Sequence, residues 1–93
     1  MKTYAVLRRR AWNNSSELEE AAGRSTKVGN EQMADQVRWI RSYVLEEEGG
    51  KVGTVCIYQA TGPDALRRHA EAAVLACDEI IPISDTVVVR ADP

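Results

Sequence analysis

Residues 37–60 read VRWIRSYVLEEEGGKVGTVCIYQA, two runs rich in β-branched and aromatic residues on either side of Gly49-Gly50. Such runs favour strands, and a Gly-Gly pair takes φ > 0 at both central positions of a two-residue hairpin turn without a Cβ penalty. That turn sets an expected register in which Glu48 faces Lys51, Val44 faces Val55, Tyr43 faces Cys56, Arg41 faces Tyr58 and Ile40 faces Gln59. Strict alternation along both strands then gives two unlike faces. Ile40, Ser42, Val44, Val55 and Ile57 make a mostly aliphatic face suited to a layer of helices. Trp39, Arg41, Tyr43, Leu45, Cys56 and Tyr58 make a second face of rings and a guanidinium, expected to meet a partner sheet or a ligand.

Upstream of this ribbon, Thr3–Arg10 alternates as a first strand, with Ala5 and Leu7 on one side and Tyr4, Val6 and Arg8 on the other. Ser16 followed by Glu19 has the spacing of a capping box and predicts a helix from Glu17 to Thr26, ended by Gly29-Asn30. Downstream, Thr61-Gly62-Pro63-Asp64 predicts a helix start at Pro63, running to about Leu75. Leu66, Ala70, Ala73 and Val74 form its apolar stripe, and His69 lies beside that stripe. Glu79–Ile83 and Thr86–Val89 read as one last strand, interrupted at Pro82, which has no ladder N–H and belongs on an edge or at a bend.

The order is βαββαβ, an α+β ferredoxin-like arrangement: an antiparallel sheet with both helices on one face, its first and third strands central. The chain, 1–93, is expected to be one such domain. One sheet face then has no cover within a single copy, which predicts a homodimer, a dimeric α+β barrel, closing ring face on ring face.

Composition narrows the partners. Formal net charge is −2 and the sequence pI about 5.4, unsuited to an electrostatic nucleic-acid or anionic-membrane binder. RNA-recognition modules share the topology, but Lys51–Tyr58 matches their basic and aromatic third-strand pattern only at its two ends. No apolar run is long enough for a signal peptide or a membrane span, and the expected location is the cytoplasm. Cys56 and Cys77 lack CxxC spacing, so they predict neither a zinc ribbon nor a redox pair.

VRWIRSYV, GTVCIYQATGPDALRRHAEAA and DEIIPI together resemble a small bacterial family of ferredoxin-like proteins of unknown function, sometimes labelled nickel-binding. The likeness runs from Thr3 to Val89, with Trp39, Ser42-Tyr43, Cys56, Ala60–Pro63, His69 and Asp78-Glu79-Ile80 as its markers. It implies a small binding protein rather than an enzyme, with nickel or another divalent metal as its ligand. Val74-Leu75-Ala76-Cys77 stands where such proteins turn with a glycine, which predicts a longer second helix here.

Nickel(II) favours imidazole and other nitrogen or oxygen donors, so His69, with Cys56 or a carboxylate such as Glu71 or Asp78, is the candidate metal ligand, alone or across a dimer. Arg41 between Trp39 and Tyr43, and opposite Tyr58, is the candidate pocket for a small anionic or planar ligand, with Arg8 able to reach the same face. The alternative is a small monooxygenase- or isomerase-like enzyme using His69, Cys56 and Tyr43 on the open sheet face, which rests on fold analogy.

Overall fold

The computed structural model describes residues 1–92. Strand β1 (Lys2–Trp12) is followed by helix α1 (Ser15–Lys27), the hairpin β2 (Val37–Glu46) and β3 (Val52–Ala60), helix α2 (Pro63–Ala73) and the short strand β4 (Glu79–Pro82). The four strands form one sheet in the order β2-β3-β1-β4, every neighbour antiparallel, so the first and third strands are central as the sequence predicts. Both helices pack on one face of it. Among the described residues no helix is long and apolar enough to cross a membrane.

The hairpin register differs from the expected one. Glu47 N–H donates to the Lys51 carbonyl at 2.9 Å, so the loop is Glu48-Gly49-Gly50, three residues rather than two. Both glycines do take positive φ, 69° and 78°. The odd loop slides β2 by one residue: Tyr43 faces Val55, Ser42 faces Cys56 and Arg41 faces Ile57. A bulge between Trp39 and Arg41 then absorbs a second residue, and beyond it Trp39 faces Tyr58.

These two irregularities correct the expected faces. Tyr58 and Cys56 are buried beneath the helices, and Trp39 stacks on Tyr58 on that same side, its ring centroid 6.2 Å away. Arg41, Tyr43 and Ile57 lie on the opposite face. Trp39 and Tyr43 therefore point to opposite sides although their spacing is even, because the intervening bulge breaks the period of two.

The register is pinned at Gly53. A Cβ there would sit 2.6 Å from the Arg8 carbonyl and 2.6 Å from a Glu47 carboxylate oxygen, so only glycine admits this approach. On the β1 side, residues between Arg8 and Trp12 bulge outward, with Arg10 at φ 49°. The Arg9 guanidinium grips Glu47 through two contacts, 2.7 and 2.9 Å, and the Arg9 N–H donates to Asp78. The Arg8-Arg9-Arg10 run is thus split, Arg8 turned inward and Arg9 clamping the hairpin end.

Helix α1 begins two residues earlier than predicted. Asn14 is its cap, its side chain accepting from Glu17 N–H at 3.0 Å, while Glu17 reaches back to the Asn13 N–H. Gly29-Asn30 does not end the helical path, which continues as a π-turn over Val28–Gln32. Its inward positions are small, Ala21 and Ser25.

Helix α2 starts at Pro63 as predicted but stops at Ala73, against the expectation of a longer helix. Leu75 N–H bonds the Ala70 carbonyl and Val74 N–H the Glu71 carbonyl, a Schellman closure with Val74 left-handed at φ 57°, ψ 56°. Arg24 of α1 donates to the Ala73 carbonyl at 2.9 Å, satisfying a terminal acceptor and tying the helices together.

The last strand is also shorter than expected. Glu79–Pro82 pairs with β1 at the sheet edge, whereas Thr86–Val89 forms no ladder and runs across the open face.

A β-branched residue in the left-handed region costs roughly 1–2 kcal/mol, and the Val74 side chain is 74% exposed and contributes little packing. Val74→Gly is expected to raise unfolding free energy by about 1 kcal/mol, part of the relief being offset by unfolded-state entropy. Urea denaturation checks this as a higher midpoint at unchanged slope.

Candidate functional site

Between α1 and the sheet, where the helix presents the small side chains Ala21, Ala22 and Ser25, a hollow of about 280 Å³ remains. Its sheet wall comes from three strands: Arg8 of β1, Trp39, Ser42 and Val44 of β2, and Thr54, Cys56 and Tyr58 of β3. Trp12, Leu18 and Leu75 close its sides.

A chain of polar contacts runs beside this hollow through the buried layer. The Arg8 guanidinium carbon lies 5.7 Å from the centre of the Tyr58 ring, in cation–π range. The Tyr58 hydroxyl is 3.4 Å from Ser25 Oγ, and the Tyr58 ring meets the His69 imidazole edge-on at 5.5 Å. His69 Nε2 lies 3.1 Å from the Ser25 carbonyl oxygen. That oxygen only accepts, so Nε2 carries the proton and Nδ1 the lone pair. Nδ1 is buried without a hydrogen-bond partner, and so is Arg8 Nε.

The tautomer decides the chemistry of the Ser25–His69 contact. Ser25 Oγ sits 3.4 Å from Nε2, but a nitrogen already donating to a carbonyl has no lone pair with which to take a hydroxyl proton. The pair is a structural bridge, and Ser25 is not an activated nucleophile.

The residues singled out from sequence separate into three places. Trp39, Tyr58 and Cys56 belong to the hollow, on the helical side rather than the open face where the sequence put them. The Cys56 thiol donates to Thr54 Oγ1 at 3.3 Å. His69 faces inward from α2, 1% exposed, and lines a separate groove of about 360 Å³ with Gly29, Val37 and Trp39. Arg41 and Tyr43 stay on the open face, where the carboxylate they meet is the chain's own Asp92: Tyr43 donates to it at 2.9 Å and Arg41 forms an ion pair with it. Arg8, Ser25 and Thr54 complete the buried cluster. Alternation on β1 already sets Arg8 with Tyr4 and Val6, and that was the available signal for it.

These donors do not make a nickel site within one chain. His69 is the single histidine, and among the described residues no three of His, Cys, Asp and Glu come together. A tight nickel centre needs several converging donors.

Residues 4–83 match the family described as nickel responsive protein SCO4226-like. The crystal structure of SCO4226 from Streptomyces coelicolor A3(2) superposes with a TM-score of 0.70 at 16% sequence identity, over 91% of this chain and 99% of that one. That likeness is one of fold. No curated protein matches the sequence.

Burial holds the His69 imidazole below its ordinary 6.5, against the opposing pull of the Ser25 carbonyl. The folded protein keeps the ring neutral while the unfolded chain protonates it, so stability is intact above about pH 6.5 and falls as pH drops below it. Melting temperature followed from pH 7.5 to 5 is expected to decline in the wild type and to decline less in His69→Gln.

Proposed function

The chain belongs to the SCO4226-like family of nickel-responsive proteins, and from that premise we propose that it is a small binding protein whose ligand is an organic molecule seated between α1 and the sheet. The observation that carries this reading is the hollow itself, about 280 Å³ kept open by Ala21, Ala22 and Ser25 opposite two tryptophans and a tyrosine. Larger aliphatic residues at these helix positions would bury more apolar surface and close the space. A helix face kept small against aromatic walls is the build of a small-molecule pocket.

Two measurements test it. Native mass spectrometry of protein purified from its producing cells without a metal-affinity step is expected to show an added small-molecule mass. Ala22→Leu places three more carbons in the hollow, so it is expected to stabilise the empty protein by about 1–2 kcal/mol and to abolish the added mass. A destabilised Ala22→Leu, together with bare wild-type protein, would overturn the assignment.

Nickel enters this reading as a ligand shared between copies of the chain, since no three donors converge within one copy among the described residues and His69, its single imidazole, is buried on the helical side away from the open face. The open face supports self-association: Ile40, Tyr43 and Ile81 are 44, 42 and 40% exposed there, and Val87, Val88 and Val89 are more exposed still. Sedimentation equilibrium at micromolar concentration is expected to give a dimer mass, with Ni(II) tightening the association. A monomer mass in both the presence and absence of Ni(II) would remove the homodimer and the shared site together.

A further inference from the structure

We propose that the hollow beneath α1 is a receptor for one small carboxylate, singly charged and with an aromatic or branched apolar body, held by the guanidinium of Arg8. This rests on the reading of the hollow as the binding site and specifies its ligand.

The Arg8 guanidinium has no ion-pair partner among the described residues. Arg8 is 2% exposed and lines the hollow, and its Nε has no partner. Among the described residues the ion pairs go to Arg9, Arg41 and Arg67, none to Arg8. A guanidinium stays protonated at any physiological pH, and burying a charge without a partner is costly. The Tyr58 ring face offsets part of that cost.

The other polar groups of the wall are neutral, and their oxygens already meet partners within the protein. Ser42 accepts from the Trp39 indole at 2.8 Å, Thr54 accepts from Cys56, and Ser25 lies against Tyr58 and His69. The guanidinium is the one cation on the lining. Glu19 is the one carboxylate on the lining, and its side chain is exposed to solvent.

The class of anion follows from charge and shape. One guanidinium neutralises one negative charge, and its planar fork matches a carboxylate through two parallel hydrogen bonds. A dianionic phosphate would carry excess charge against the apolar part of the lining, Trp12, Leu18, Trp39, Val44 and Leu75. Those side chains fit the apolar body of the ligand.

The test uses matched probes, phenylacetate, indole-3-acetate and 3-methylbutanoate against their primary amides, with inorganic phosphate as control, read by calorimetry and thermal shift. At least one carboxylate is expected to bind wild type about tenfold or more tightly than its amide, phosphate is expected to give no heat, and Arg8→Met is expected to erase the difference. Without any probe, Arg8→Met is expected to melt above wild type, because an apolar side chain of similar length replaces an unpaired buried charge. Equal binding of acids and amides would leave the pocket standing and remove the carboxylate. Binding of no probe would remove both. Glu19→Gln is expected to leave the melting temperature unchanged. A clear drop in Glu19→Gln, or a lower melting temperature in Arg8→Met, would make Arg8 a structural charge paired within the protein and overturn the inference.

Discussion

The approach of three chain segments at Gly53 governs the rest of the molecule. Because that residue has no Cβ, the bulged end of β1 and the carboxylate of Glu47 both close on β3 at distances no other side chain allows. Arg9 then clamps Glu47, and Asp78 ties in the entry to β4 through the Arg9 N–H and the Leu7 carbonyl. The Arg9 guanidinium holds the Glu47 carboxyl below its usual range, which favours the charged form of the clamp. Fixing both neighbours of β3 at one point fixes which side of the central strands looks at the helices.

What looks at the helices is unusual for so small a core. Tyr58, His69, Arg8, Ser25 and Thr54 are all buried, and burial pushes the Tyr58 phenol up and the His69 imidazole down, both toward their neutral forms. Each neutral group finds at least one partner in its neighbour. Arg8 cannot neutralise itself in the same way, so the imbalance of the layer concentrates at one guanidinium beside an open space. Helix α1 contributes by staying small there: alanines and a serine allow the rings of β2 and β3 to stand upright without filling the gap.

The family name points to nickel, whereas the interior of this chain is arranged around a buried cation and neutral rings. These belong to different faces of the sheet. The helical side holds the closed chemistry of Arg8, Tyr58 and His69. The open side, crossed by the segment from Asp85 to Asp92 and fastened by Arg41 and Tyr43, carries exposed apolar side chains, Ile40 and Ile81 among them.

The βαββαβ order, the antiparallel sheet, the start of α2 at Pro63 and the grouping of Tyr4, Val6 and Arg8 on one face of the first strand were all written in the sequence. They depend on local propensity and on the periods of single elements, which neighbours in the chain carry by themselves. The facing of the hairpin was decided only in three dimensions. Glu48-Gly49-Gly50 and Gly49-Gly50 are both acceptable loops locally, and the longer one wins because it brings Glu47 to Arg9. A bulge at Ile40 leaves no mark on alternation, and Val74 becomes a helix terminator only because Arg24, far away in the chain, takes up the carbonyls it exposes. One residue of slip exchanges every side chain between core and surface, so the buried cluster emerged only when distant strands and helices closed on one another.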